Sequence, residues 1–461
     1  MSPMTNIMDL NPDEIPGMLT KGLLKLSVIG CGVMGLPLAC LYADSGAEVY
    51  GVDTSVELID KLKRGIISNP EPGLQELLQK VLRMEKFHPT TDFKSAVRDS
   101  DVIMVVISVS VNQAGIPDYT PLRKVAEDLG TCVRRGSLII QSSTTGPGIT
   151  EEVVKERIET LSNLKAEQDF GFAYSPLRGS EGSLLRDLVS YPRVVGAVGP
   201  RSLEASEAVL KTVVKGGIFK VRDIKTAEAA KLFENFYRFI TLIVSHELAM
   251  LCEKMGVDYI DVLNAATTQP FCHLLKPSIG VGGHLPKDAQ LLQNSAENVN
   301  FNLRMVRMAL RVNESLLKHD YGLVMKALRR LGKPLRRSRI LILGLSFKPN
   351  VKNARNSYSV KLANELLKKG AEVIVYDPYF TIEEIKRMGF KTSSSLKRIV
   401  RDIDCVIVAT PHDEFKNISL NNLRRLNGKP IAIVDFGRIF DREEAEKANL
   451  IYVGIGVDST D

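Results

Sequence analysis

The 461-residue sequence contains no tryptophan, and its six cysteines are widely spaced, with no pair in a Cys-X-X-Cys arrangement. We therefore expect neither the disulfide framework of a small secreted protein nor a metal site. No apolar run reaches the roughly 18 residues that a membrane span requires, so we expect no membrane partner. The first residues lack the apolar core of a signal peptide, and we expect a cytoplasmic protein.

The net charge is +7, but the excess is scattered among 61 basic and 54 acidic side chains. We interpret the basic clusters as solvated surface and expect no nucleic-acid partner. A basic balance suits a phosphate-bearing substrate without proving one. At 44% apolar and 25% charged residues, the composition is that of a globular protein, and the length predicts two or three domains.

The most informative stretch is a glycine turn, Gly30 to Gly35 (GCGVMG), which follows the apolar run 26–29. Gly30 suits a tight turn, Gly32 lets backbone approach a pyrophosphate, and Gly35 lets the next helix lie close to the strand. A second predicted strand, 47–52, ends on Asp53, whose carboxylate would accept from a ribose 2′-OH. Together these features predict a Rossmann-type site that prefers NAD to NADP.

Strands alternate with amphipathic helices as far as residue 200, and the alternation returns near residue 340 without a full glycine fingerprint. The segment between is helical, and residues 224–255 are apolar enough to require a partner helix or subunit. We predict an α/β fold with two Rossmann-like domains joined by a central helical domain that contains a long helix. The predicted parts are a flexible lead-in (1–22), an NAD-binding domain (23–201), a central dimerisation and catalytic domain (202–332) and a C-terminal Rossmann-like domain (333–461).

Further motifs follow along the chain: EPGL (71–74), ST (143–144) with PG (147–148), KLFEN (231–235), GVGGH (280–284) with PKD (286–288), GLSFKPN (344–350) and YDPY (376–379). On these motifs the sequence resembles the UDP-glucose/GDP-mannose dehydrogenase superfamily, the nucleotide-sugar 6-dehydrogenases. TTQPF (267–271) and the Gly-Gly-His triplet resemble the UDP-N-acetylhexosamine (ManNAc, GlcNAc or GalNAc) branch. Pro286-Lys287-Asp288 is more similar to the UDP-glucose branch.

The resemblance implies a four-electron oxidation of a sugar C6 alcohol with two NAD, through a cysteine-bound thiohemiacetal and thioester. It implies four catalytic side chains: Lys231 as oxyanion stabiliser or proton shuttle, Asn235 as donor, Asp288 as proton acceptor through a water, and Thr144 near the nicotinamide. It implies that NAD is bound by Gly30, Gly32, Gly35, Asp53 and Arg355. It implies that the UDP-sugar is bound by the C-terminal domain and by Gly282, Gly283, His284, Lys348 and Arg438, the last lent to a neighbouring subunit. A homodimer and a place in polysaccharide biosynthesis are implied as well.

Two positions depart from the family pattern. The family reads Gly-Gly-X-Cys-X-Pro, whereas this chain runs from Gly283 through His284 and Leu285 to Pro286, one residue shorter and without the cysteine. The family also places a glutamate after Ser-Pro, where this chain has Leu177. Leucine neither orients water nor takes a proton, so the thioester half of the chemistry lacks both its nucleophile and its helper.

Several alternatives stay open on the sequence. Cys272, between Phe271 and His273, is either a substitute nucleophile or a small buried hydrophobic residue. His284 is either an acid/base group or a donor to a loop carbonyl. The leading hypothesis is a UDP-N-acetylhexosamine 6-dehydrogenase of the mannosamine type. The others are a two-electron nucleotide-sugar oxidoreductase or epimerase, and a non-catalytic nucleotide-sugar-binding paralogue.

Overall fold

The computed structural model describes residues 6–112 and 114–457, which fall into two compact units. The first unit runs to Glu234 and includes Gln290–Phe301; the second contains Asn235–Ala289 and the chain from Asn302 onward. The predicted domain boundaries at 201/202 and 332/333 stay predictions. The central segment is shared between the two units because two helices, Ile224–Met255 and Leu285–Asn298, each run across the boundary.

The first unit is built on a sheet that has eight strands among the described residues, in the order β10-β9-β8-β7-β4-β1-β2-β3. The strands are β1 (Lys25–Ile29), β2 (Glu48–Val52), β3 (Phe87–Thr90), β4 (Val102–Val105), β7 (Leu138–Gln141), β8 (Gly171–Tyr174), β9 (Arg193–Ala197) and β10 (Ile218–Lys220). A separate antiparallel pair is formed by β5 (Ser110–Val111) and β6 (Pro117–Asp118). The alternating sequence pattern predicts a parallel sheet, but β9 is antiparallel to β8, and such mixed pairing is common in large α/β sheets.

Helices connect these strands, and the central strand β4 is a continuous, buried apolar run, as expected of a strand whose two faces are both covered. The helices are α1 (Ile15–Thr20), α2 (Gly35–Asp44), α3 (Val56–Lys63), α4 (Leu74–Arg83), α5 (Phe93–Asp99), α6 (Thr120–Gly130), α7 (Glu156–Ser162), α8 (Leu184–Ser190) and α9 (Pro200–Lys211). A 3-10 turn at Ile7–Asp9 and a π-helical turn at Thr150–Lys155 complete this part.

The N-terminal segment corrects one sequence prediction. Residues 1–22 are predicted to be a flexible lead-in, but 6–22 form the 3-10 turn and α1, with Ile7, Ile15 and Leu19 buried in the core of the first unit. The Ile7 N–H donates to the Gly136 carbonyl at 3.0 Å. The segment is mostly polar and contains proline, so its few buried apolar residues were not recognised in the sequence.

The predicted long helix, α10, spans Ile224–Met255, as the sequence indicates. It is followed by α11 (Tyr259–Ala266), a glycine- and proline-rich loop, α12 (Leu285–Asn298) and α13 (Arg304–Arg330). Among the described residues, no helix combines the length and apolar character needed to cross a membrane.

The second unit contains a parallel sheet with the order β12-β11-β13-β14-β15. Its strands are β11 (Arg339–Leu343), β12 (Glu372–Tyr376), β13 (Cys405–Val408), β14 (Ala432–Asp435) and β15 (Ile451–Gly454). The connecting helices are α14 (Tyr358–Lys368), α15 (Ile382–Arg387), α16 (Leu396–Ile399), α17 (Asp413–Lys416), α18 (Leu420–Asn427) and α19 (Arg442–Lys447). The predicted class, α/β with two Rossmann-like parts and a long central helix, is confirmed.

Candidate active site

The glycine turn after β1 has the shape that dinucleotide binding requires. Gly30 has φ +97°, and a Cβ on Gly35 would lie 1.8 Å from the Gly30 carbonyl oxygen, so α2 packs directly on the turn. A Cβ on Gly32, in contrast, would meet nothing within 4 Å. The open space beside Gly32 and the N-terminus of α2 fit a pyrophosphate.

Asp53 follows β2 and faces this turn. Its Oδ2 accepts from the Cys31 N–H at 3.0 Å, and its Oδ1 accepts from the Ser55 N–H at 3.0 Å. Each carboxylate oxygen has a second lone pair, so Asp53 retains acceptor capacity for a ribose hydroxyl. These residues therefore fit NAD, which when bound supplies the hydride acceptor.

The turn after β7 carries Thr144, which is half-buried. Ser143 fixes the start of this turn, because its Oγ accepts from the Ile107 N–H and its own N–H donates to Gln141 Oε1, both at 2.8 Å. Glu228 of α10 fixes its later part through the Thr145 hydroxyl at 2.9 Å. Glu228 was not predicted, although an acidic residue in an apolar helix three positions before Lys231 was a usable signal.

Lys231 lies on α10 with only 11% of its side chain exposed, and its Nζ is 2.7 Å from Glu234 Oε1. The other oxygen of Glu234 accepts from Arg178 Nε at 2.9 Å. The lysine charge is thus balanced by a carboxylate that Arg178 holds in place. Leu177, the residue before Arg178, is buried, in keeping with its apolar side chain.

Asn235 and Asp288 form a buried pair in the second unit. The Asn235 amide Nδ2 donates to Asp288 Oδ2 at 2.6 Å, and Lys287 Nζ lies 2.7 Å from Asp288 Oδ1. Both Asn235 and Asp288 are buried, so the Asp288 side chain is held in place by its hydrogen bond rather than being free in solvent. The structure therefore brings together two of the predicted catalytic residues.

The glycine-rich loop before α12 is firmly anchored. His246 of α10 has Nε2 2.8 Å from the Ser278 carbonyl, and Asn313 of α13 binds both the N–H and the carbonyl of Val281, at 2.9 and 3.0 Å. Neither His246 nor Asn313 was predicted, because nothing local in the sequence links them to a loop 32 residues away.

Gly282 and Gly283 pack tightly in this loop. A Cβ on Gly282 would lie 2.6 Å from the Asn356 carbonyl oxygen, and one on Gly283 would lie 2.7 Å from the Phe347 ring. Both glycines thus permit close contact with the segment that follows β11. His284 of the same loop is exposed.

The remaining predicted residues lie in the second unit. Lys348 is half-buried and Arg355 is exposed, both in the segment after β11. The Arg438 guanidinium donates to Asp258 Oδ2 at 2.7 Å and to the Ile455 carbonyl at 3.1 Å. Arg438 is therefore engaged within its own chain, and its predicted place in a neighbouring subunit's site stays a prediction.

Cys272 is half-buried, whereas the other five cysteines are buried. Burial raises the pKa of the Cys132 thiol to about 11 and that of Cys40 to about 12, which makes both poor nucleophiles near neutral pH. Within the described ranges, no group of three or more His, Cys, Asp or Glu side chains is arranged to hold a metal ion.

A Rossmann fingerprint in the first unit and a second Rossmann-like sheet in the other unit are the features of an NAD-dependent oxidoreductase. Three family descriptions match the chain: the NAD binding domain of the UDP-glucose/GDP-mannose dehydrogenase family at residues 24–214, its central domain at 225–315 and its UDP binding domain at 341–442. The chain belongs to the UDP-glucose/GDP-mannose dehydrogenase family.

Similar proteins agree with this assignment. The chain is 31% identical to the UDP-N-acetyl-D-mannosamine dehydrogenase of Pyrococcus horikoshii, over 94% of this chain and 99% of that relative. It is 28% identical to the UDP-N-acetyl-D-glucosamine 6-dehydrogenase of Salmonella typhi, over 92% and 98% of the two chains. The solved structure of UDP-D-ManNAc dehydrogenase from Pyrococcus horikoshii superposes with a TM-score of 0.87 at 30% identity, covering 95% of this chain and 100% of that one.

Proposed function

We propose that this protein oxidises a UDP-N-acetylhexosamine at the sugar C6 hydroxyl, with NAD as the hydride acceptor. The observation that carries the proposal is the buried Asn235–Asp288 pair. Lys231 precedes Asn235 by four residues in α10. Relatives named as UDP-N-acetyl-D-mannosamine and UDP-N-acetyl-D-glucosamine dehydrogenases support the choice of sugar. A cytoplasmic role in polysaccharide biosynthesis is part of the same proposal.

The roles of the side chains follow from their chemistry. The Lys231 ammonium and the Asn235 amide are donors at i and i+4 on one helix, so both suit a single oxygen that gains negative charge as the hydride leaves. The Asp288 carboxylate accepts the hydroxyl proton through a water. Thr144 donates to the substrate from the turn after β7, while the Gly282–Gly283 loop and Lys348 bind the nucleotide sugar.

The second candidate is a two-electron oxidation that ends at the aldehyde. Two departures from the family pattern favour it: the buried Leu177 stands where the pattern has a glutamate, and the Gly283–Pro286 stretch is one residue shorter and lacks the cysteine. The side chains proposed for the first hydride step are all present. A double oxidation requires another thiol, and Cys272 is the half-buried one.

Counting NADH against product tests both candidates. The purified protein is incubated with NAD and a panel of UDP-sugars, and the NADH formed per sugar is compared with the product mass. Two NADH and a carboxylate support the four-electron reaction, and Cys272→Ser then shows whether that thiol takes part. One NADH and an aldehyde support the two-electron reaction, whereas binding without NADH contradicts both.

We also propose that the protein is a homodimer through α10. Tyr237, Val244 and Leu251 are 60%, 41% and 50% exposed and recur every seven residues, and Met255 continues the same stripe at 63%. Thr241 and Leu248 fill the intermediate positions, giving the alternating spacing of four and three residues that pairs helices. A second copy of α10 is the occupant that this self-complementary spacing fits.

Light scattering of purified variants tests the dimer. Leu251→Glu places a charge in the stripe and should convert the dimer to a monomer. Lys254→Glu is the matched control, because Lys254 is exposed and lies about 100° around the helix from the stripe. A wild-type monomer, or a dimer that Leu251→Glu leaves intact, contradicts the proposal.

A further inference from the structure

Glu228 is a buried carboxylate on α10, one helical turn before Lys231. Its side chain is fully buried in the first unit. Its Oε1 accepts from the Thr145 hydroxyl and from the Thr150 N–H, each at 2.9 Å, and its Oε2 accepts from the Gly148 N–H at 2.6 Å. One carboxylate therefore binds three donors of the turn that follows β7.

Burying a carboxylate costs desolvation free energy unless hydrogen-bond donors compensate for the lost water. Burial raises the pKa of Glu228, and the hydrogen bonds from Thr150, Gly148 and Thr145 oppose that shift. An apolar residue of similar size would avoid the cost of desolvation but would leave two backbone N–H groups and a hydroxyl without acceptors. The arrangement thus fixes one backbone conformation of the turn.

The rest of the turn has little freedom. The Gly146 N–H donates to the Tyr119 hydroxyl at 3.2 Å, and a Cβ on Gly146 would lie 2.5 Å from Ser295 Oγ. Gly148 has φ +99°, a conformation that glycine adopts readily. Among these contacts, those of Glu228 join the turn directly to the helix that carries Lys231.

We propose that Glu228 is a positioning residue that ties the turn after β7 to α10 and thereby sets the place of Thr144 relative to Lys231. The inference rests on the proposed function, because the roles of Thr144 and Lys231 belong to it. A tie of this kind matters for hydride transfer, since a displacement of about 1 Å in a reacting arrangement costs about 100-fold in rate.

Glu228→Gln tests the inference with almost no change of shape. The amide replaces one oxygen by an NH₂ group, which then faces at least one of the three donors and loosens the turn. We expect kcat to fall about 10- to 100-fold. The KM values for NAD and for the UDP-sugar should change little, because the glycine turn and the Gly282–Gly283 loop are untouched.

A second pair of variants keeps the test independent of how well Glu228→Gln folds. Thr145→Val removes one of the three donors and should lower kcat in the same direction, whereas Thr145→Ser keeps the hydroxyl and should restore most of the loss. Both substitutions disrupt the same Glu228–Thr145 contact. The fold decrease in kcat of the double variant Glu228→Gln/Thr145→Val should therefore be smaller than the product of the two single decreases.

Glu167→Gln is the matched control. Glu167 also accepts from backbone N–H groups at the start of a helix, those of Arg201 and Ser202 at 2.8 and 3.1 Å, but it lies outside the turn. We expect it to lower Tm and to leave kcat unchanged. An active wild-type protein whose Glu228→Gln variant keeps its kcat overturns this inference alone. A wild-type protein that oxidises no UDP-sugar overturns the proposed function and the inference with it.

Discussion

The Asn235 amide donates to the Asp288 carboxylate at 2.6 Å, and both side chains are buried. The two residues lie 53 positions apart in the sequence, one on the long helix and one in the first turn of α12. This contact gives the carboxylate a fixed orientation, which a residue that accepts a proton during hydride transfer requires. Because the two side chains are hydrogen-bonded to each other, a substitution of either one also changes the surroundings of the other.

Asp288→Asn should lower kcat by about 10²- to 10⁴-fold, because the amide keeps the shape of the side chain but does not accept a proton. The measurement is the initial rate of NADH formation at saturating NAD and UDP-sugar. Asp261→Asn, on the exposed surface of α11, is the control and should retain the wild-type rate. Unchanged kcat in Asp288→Asn would remove Asp288 from the proton path.

Lys231→Met should lower kcat by about 10²- to 10³-fold, since in the proposed function the ammonium donates to the oxygen that gains negative charge. The substitution leaves Glu234 paired with Arg178, which limits the structural damage. Lys254→Met removes an exposed lysine of the same helix and serves as the control. If the two variants have equal rates, the donor at the substrate oxygen lies elsewhere.

Two alanine substitutions in the glycine turn should have different effects. Gly35→Ala puts a Cβ 1.8 Å from the Gly30 carbonyl oxygen, so Tm should fall sharply. Gly32→Ala meets nothing within 4 Å and should keep the wild-type Tm while weakening NAD binding, because the methyl occupies the space predicted for the pyrophosphate. Thermal unfolding and NAD titration by calorimetry measure both effects. Wild-type NAD affinity in Gly32→Ala would contradict the predicted phosphate position.

Local signals account for what the sequence predicts well. The fold class follows from the alternation of strands and helices, and α10 is predicted over its full length because its apolar periodicity is unbroken until Gly256. The glycine turn is equally local, since the roles of Gly30 and Gly35 depend on backbone conformation within six residues.

Long-range partners account for what the sequence does not predict. Glu228 contacts Thr145 across 83 positions, and no pattern in either segment identifies the pairing. The buried N-terminal segment was missed for a similar reason, because Ile7, Ile15 and Leu19 are too few to form a recognisable period. The antiparallel pairing of β9 with β8 was also not predicted, because the residues of a buried strand do not indicate its direction.

His319 should make the stability of the second unit depend on pH. Its Nε2 lies 2.9 Å from Glu253 Oε2 and its Nδ1 lies 3.7 Å from Asp320 Oδ1. Although burial alone would lower the pKa of His319, the two neighbouring carboxylates raise it to about 9. Because the folded-state pKa exceeds the unfolded value of about 6.5, the stabilisation is complete below that pH and is lost as the pH rises through 9. His319→Gln should therefore lower Tm at about pH 6 and have progressively less effect towards pH 10.

His88→Gln, which removes a more exposed histidine paired with Glu48, is the control. A Tm difference between wild type and His319→Gln that is constant across this range would show that the His319–Glu253 pair contributes no pH-dependent stability.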